Sequence, residues 1–131
     1  MTCPHCGEEM IVLELDQVEI DYCLACGGIW LDAGELELLL DGGVEKDHLL
    51  SSFQPAQKVR ERKKRCPICR KKMEKTLAGH NHETVLLDKC PRGHGLWFDG
   101  GELQQVLSIG GLAESSKVVI LLKDMFGNQE D

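Results

Sequence analysis

Apolar and polar residues alternate loosely across positions 10–15 and 18–22, on either side of Asp16-Gln17. Both flanks are rich in β-formers, which predicts a hairpin. From Leu31 the pattern changes. Asp32 with Glu35, and later Asp99 with Glu102, place an Asp three residues ahead of a Glu at the head of apolar runs. This is a capping-box spacing with Asp as N-cap, and it predicts helices over about 33–41 and 100–109. Gly42-Gly43 and Gly110-Gly111 end those runs. A short helix is expected within 44–53 and a polar connector over 54–65, followed by a second hairpin. Its returning strand is expected at 84–87, behind a longer turn around residues 77–82. Near the C-terminus, Val118, Leu121, Leu122 and Met125 fit one helical face. The run 118–122 by itself fits a strand equally well.

The same words recur along the chain. CPHCGEEM at 3–10 matches CPICRKKM at 66–73, and IWLDAGELELLL at 29–40 matches LWFDGGELQQVL at 96–107. The first cysteines of the copies are 63 residues apart and the tryptophans 67, so the second copy carries four extra residues in its hairpin. The chain reads as a tandem duplication. Its expected divisions are a first unit at 1–43, a helix and basic linker at 44–65, a second unit at 66–110 and an apolar helix with a tail at 111–131.

Each copy is too short to bury much surface, and chains of this size are commonly stapled. Seven cysteines supply the staple. An odd count argues against a closed disulfide framework. Met1 leads straight into Cys3-Pro4-His5-Cys6 without a signal-peptide pattern. No apolar run approaches the roughly 18 residues that span a bilayer. A cytoplasmic protein with reduced thiols and no membrane partner is therefore expected.

Cys3, Cys6, Cys23 and Cys26 form two Cys-x-x-Cys turns at the base of a hairpin, which is the donor set of a tetrahedral zinc site. The second copy has Cys66, Cys69 and Cys90, with Gly93 where the fourth sulfur would stand. His94 is the expected replacement, since an imidazole reaches further than a thiol. His80 or His82 in the hairpin tip, or a water molecule, are the rival fourth ligands. Two zinc ions per chain follow. With four protein donors each, neither would activate water. His5 and His48 are assigned no ligand role.

Cys-Pro-x-Cys, a hairpin, Cys-x-x-Cys-Gly-Gly and IWLDAGEL together resemble the bacterial zinc-ribbon family named after the transcription factor IIB zinc finger. The resemblance rests on Cys3, Cys6, Cys23, Cys26, Gly27, Gly28, Trp30, Asp32, Gly34 and Glu35. In the second copy it rests on Cys66, Cys69, Cys90, Trp97, Asp99, Gly101 and Glu102. It implies a zinc-ribbon fold, which with the helices read above gives a small metal-stabilised α+β protein: two tandem zinc ribbons, each followed by a short helix, plus a C-terminal helix. It also implies an association with transcription or macromolecular binding. Trp30 and Trp97 are expected in the core rather than on a binding face.

Charge qualifies the picture. The net charge of −7 divides into −11 over residues 1–57, +8 over 58–75 and −4 over 76–131. The basic belt contains Arg62, Lys63, Lys64, Arg65, Arg70, Lys71 and Lys72, all candidate contacts to phosphate or to an acidic partner. Pairing of the belt with the chain's own acidic first unit fits equally well. A non-catalytic, zinc-binding module for a nucleic-acid or protein partner is the leading reading. An assembly module that homodimerises through its C-terminal helix is the alternative. An iron electron carrier of rubredoxin type is a third, remote one.

Overall fold

The structure is a computed structural model, and it describes residues 1–56, 62–80 and 82–126. The belt positions Lys58 and Arg60, the tip residue Asn81 and the tail 127–131 lie outside the described residues.

The first hairpin is β1 (Ile11–Leu15) and β2 (Val18–Tyr22), in register from Ile11 opposite Tyr22 to Leu15 opposite Val18. Asp16 and Gln17 both take positive φ, 47° and 73°. That is the backbone a two-residue hairpin needs to match strand twist. β3 (Ile29–Asp32) adds antiparallel to β2, and α1 (Glu35–Leu39) follows. α2 (Lys46–Ser51) leads to β4 (Gln54–Pro55), a short edge strand in what the sequence presents as connector. The second unit repeats the plan with β5 (Glu74–His80), β6 (Glu83–Lys89), β7 (Gly95–Phe98) and α3 (Glu102–Ile109). Its four extra residues lengthen the two strands rather than the turn. β5 and β6 have seven residues each, against five in β1 and β2, and two residues still connect them.

The two units share one sheet of order β1-β2-β3-β7-β6-β5-β4. β3 and β7 pair antiparallel at its centre, with Trp30 opposite Trp97. The duplicated units thus meet back to back about a pseudo-twofold, as two subunits of an isologous dimer would. Residues alternate between the faces of β3 and β7. Ile29, Leu31 and Phe98 point into a helix-covered core with Leu36, Leu40, Val106 and Leu107. Trp30 and Trp97 point the other way, into a second cluster with Met10, Met73 and the buried cysteines. Both faces are covered, which is why IWL reads as an unbroken apolar run.

The segment 118–122 is helical, within α4 (Lys117–Phe126). Val118 and Leu122 are buried in the main core, with Leu121 and Met125 packed against it. Of its large apolar residues, Ile120 is the exposed one among the described side chains. The apolar face is therefore spent on the chain's own fold.

The helix starts differ from the capping-box expectation. α1 and α3 begin after Gly34 and Gly101, at φ 91° and 86°, and neither has a side-chain cap. Half of the box is present: the Asp32 N–H donates to Glu35 Oε1 at 2.7 Å, and the Asp99 N–H to Glu102 Oε1 at 2.8 Å. The aspartate side chains are occupied elsewhere. Asp32 Oδ1 accepts from Trp30 Nε1, and Asp99 Oδ1 from Trp97 Nε1, both at 2.9 Å. A buried indole needs an acceptor, and this carboxylate two residues on supplies it.

Candidate metal centres

Each centre is built from two tight turns at one end of a hairpin. In the first turn the N–H of Gly7 donates to the Cys3 carbonyl at 3.0 Å, and the N–H groups of His5 and Cys6 point at Cys3 Sγ at 3.3 and 3.4 Å. The second unit repeats this with Arg70 to the Cys66 carbonyl at 2.8 Å and Ile68 N–H to Cys66 Sγ at 3.4 Å. N–H groups aimed at sulfur stabilise thiolate, the ligand form. Arg70 takes the left-handed backbone of Gly7, at φ 66° against 82°.

Cys3, Cys6, Cys23 and Cys26 converge so that their sulfurs all lie within 4.8 Å of one another. Cys6 and Cys23 are 3.4 Å apart, Cys3 and Cys26 3.7 Å. These spacings suit donors about 2.3 Å from a shared zinc ion. Cys66, Cys69, Cys90 and His94 converge to the same limit. His94 Nδ1 lies 3.4 Å from Cys90 Sγ and 4.0 Å from Cys66 Sγ. His80 sits at the opposite end of β5 and takes no part in this set.

The displaced ligand has a backbone cause. In the first unit the turn closes with the Gly27 N–H on the Cys23 carbonyl, and Gly27 is left-handed at φ 79°. In the second it closes one residue sooner, with the Gly93 N–H on the Cys90 carbonyl and Gly93 at φ 80°. The left-handed residue, which favours glycine, has moved into the place of Cys26. The next residue, His94, then carries the donor inward.

Burial raises the thiol of Cys3, and raises Cys26 strongly and Cys66 to about 11. Cys23 and Cys90 end at about 7. Burial also opposes their ionisation, but backbone N–H groups (Cys26 and Ala25 for one, His94 and Arg92 for the other) and neighbouring thiols outweigh it. The remaining protons are those a bound cation displaces. A zinc ion held there would bridge the two turns through four protein donors, the number that fills a tetrahedron.

The family profile described as transcription factor zinc-finger, the zinc ribbon of transcription factor IIB type, matches residues 2–42 and 65–109. The chain belongs to this family. Its two matched segments coincide with the two copies, so the protein is a tandem zinc ribbon with two zinc sites. No curated protein and no solved structure shows significant similarity to it.

The basic belt divides into two parts. Lys64 borders the groove described below but is only 7% exposed, and its charge is engaged within the protein: its Nζ lies 3.5 Å from Asp99 Oδ2 and 3.8 Å from Asp88 Oδ2. It is thus corrected from a candidate phosphate contact to a buried counter-ion. Lys75, 5% exposed, joins it with Nζ 2.7 Å from Asp88 Oδ1. These pairings tie the end of the linker and the start of β5 to aspartates of the second unit, not to the acidic first unit. The first unit keeps a different balance. Val12 faces Asp21 in the register where Lys75 faces Asp88. Burial and the nearby Asp32 push Asp21 above the usual carboxylate range, and burial, Asp32 and Asp21 do the same to Glu35.

Arg62, Lys63, Arg65, Arg70 and Lys72 are exposed. They line one open groove of about 610 Å³ with Thr2, Pro4 and Pro67, between the first metal turns of the two units. Lys71 is exposed outside it. The sequence gives no hint that the first unit supplies a wall of this groove. His5, assigned no role, has its Nδ1 4.0 Å from Asp99 Oδ1 of the other unit.

Proposed function

We propose that this tandem zinc ribbon is a non-catalytic module that binds the phosphate backbone of nucleic acid in the groove between its two first metal turns, in keeping with a role in transcription. The observation that carries this reading is the convergence of Arg62, Lys63, Arg65, Arg70 and Lys72 on one groove in a chain of net charge −7. Five cations in one concavity focus positive potential locally although the whole molecule is acidic. Arg65 is oriented for such a task, since one guanidinium nitrogen donates to the Arg70 carbonyl at 3.0 Å. Trp30 and Trp97 are fully buried, which favours backbone contacts over base stacking. The saturated donor sets favour a structural role for both ions over catalysis, and paired reduced cysteines suit a cytoplasmic location. No described helix is long and apolar enough to cross a membrane. Burial of Val118 and Leu122 argues against α4 as a dimerisation surface.

The test is a titration of labelled duplex at about 50–200 mM salt. Affinity is expected to fall with a log–log slope of up to about −4.5 if all five cations meet phosphates. Arg62→Ala and Arg70→Ala should each reduce that slope by about one. Salt-independent binding, or none, overturns the reading. Equal or tighter binding of polyglutamate assigns the groove to an acidic protein instead.

A further inference from the structure

A third group of donors lies far from the zinc centres. Glu45, just before α2, and His48 in its first turn face His80, the last residue of β5. One donor atom from each lies within 4.8 Å of the others. Glu45 Oε2 and His48 Nδ1 are 3.3 Å apart. That is close to the separation of about 3.4 Å for two donors held tetrahedrally at about 2.1 Å from one ion. The imidazoles of His48 and His80 stack, with centroids 3.9 Å apart and planes 3° from parallel.

The scaffold beneath these side chains is fixed. The Glu45 N–H donates to the Gly110 carbonyl at 2.9 Å, which ties the head of α2 to the end of α3. Leu49 is fully buried, and the Gly79 N–H donates to Ser52 Oγ at 2.8 Å, joining the foot of α2 to β5 beside His80. β4 then pairs with β5, Gln54 opposite Leu77 and Pro55 opposite Thr76. Two donors from the head of α2 and one from the end of β5 are thereby held at one end of the molecule. Lengthening of β5 by two residues relative to β1 carries His80 out to this position.

The geometry points to a third metal site at Glu45, His48 and His80, taking a borderline divalent transition cation such as zinc or nickel. Imidazole and carboxylate donors suit these ions. Three protein donors leave at least one coordination position to solvent, unlike the two structural sites. Imidazole lone pairs lie in the ring plane, so two stacked parallel rings do not address one ion as they stand. Binding therefore swings the His48 ring, whose side chain is 58% exposed, off the face of His80. A site that rearranges and stays open to solvent exchanges its ion, while the thiolate sites hold theirs.

The test begins with the full chain carrying two zinc ions, dialysed to equilibrium against zinc at about 10 µM free ion. Metal per chain is then measured, and the imidazole proton and nitrogen resonances of His48 and His80 are followed by NMR. Three ions per chain are expected, with both imidazoles shifting together. His48→Gln and His80→Gln should each return the count to two with an unchanged far-ultraviolet spectrum. His48→Gln is the decisive variant, because this exposed side chain contributes little to the fold. A wild-type count of two, or a third ion that survives His48→Gln, overturns the assignment.

Discussion

Trp30 and Trp97 lie opposite one another on the two central strands, and each indole rests against a glycine of the other unit. A Cβ placed on Gly28 would fall 2.2 Å from Cζ2 of Trp97. One placed on Gly95 would fall 2.7 Å from Cζ2 of Trp30 and 2.1 Å from the Leu31 carbonyl oxygen. Each glycine immediately follows a metal turn, so the contacts that join the units are set by the same turns that hold the ions. Gly28→Ala should cost about 1–3 kcal/mol, as overpacking commonly does. Gly95→Ala should cost more, because backbone cannot yield as a ring can. Denaturant unfolding measures both. An unchanged midpoint for Gly95→Ala would refute the close packing of β3 on β7.

Asp21 and Asp88 occupy equivalent positions in the repeat but should respond oppositely to loss of charge. Asp88→Asn leaves Lys75 and Lys64 buried without their shared carboxylate, and should cost about 3–5 kcal/mol. Burial raises both carboxyls, but Lys75 and Lys64 counter the rise at Asp88, whereas the nearby Asp32 adds to it at Asp21. The contribution of Asp21 to stability is therefore present below the ordinary carboxylate range and lost as pH rises through the folded value. At neutral pH, Asp21→Asn should be neutral or stabilising. Thermal unfolding of the two variants side by side checks the contrast.

Metal removal should unfold the molecule as one unit. The two ribbons share a sheet, and structural zinc contributes about 10–16 kcal/mol in zinc-finger peptides at neutral pH. Chelator titration followed by circular dichroism should show loss of the first ion carrying both units with it. Two separate, independent transitions would contradict the shared core.

Zinc affinity should rise with pH. Cys3, Cys26 and Cys66 hold their protons above neutrality, while Cys23 and Cys90 ionise at about 7. Each ion displaces more than one proton on binding, so the apparent affinity should increase about tenfold or more per pH unit near neutrality. Competition with a chromophoric chelator at two pH values measures this.

The duplication, the hairpins and the cysteine sets were legible because turns and ligand spacings are local properties. His94 was legible as a reach argument. The cause of its shift, the left-handed residue moving from Gly27 to Gly93, was not, since both glycines look equally suited. The role of Asp32 and Asp99 was half legible: the spacing to Glu35 and Glu102 signalled the helix head, but the indoles that claim the carboxylates lie on the preceding strand. Lys64 could not be told from its neighbours in a run of cations. Its burial depends on Asp88 and Asp99, more than twenty residues away. The joining of the units through β3 and β7 rests on complementary Trp and Gly surfaces that no pattern within one unit records.

The paired centres are tested most directly by zinc-edge X-ray absorption on protein carrying two zinc ions per chain. The donor sets Cys3, Cys6, Cys23, Cys26 and Cys66, Cys69, Cys90, His94 predict seven sulfurs to one nitrogen, averaged over both ions. The sulfurs should lie at about 2.3 Å and the nitrogen at about 2.0–2.1 Å. In His94→Ala the nitrogen shell should vanish or be replaced by oxygen. An all-sulfur environment in the wild type, or an imidazole signal that persists in His94→Ala, would contradict the account.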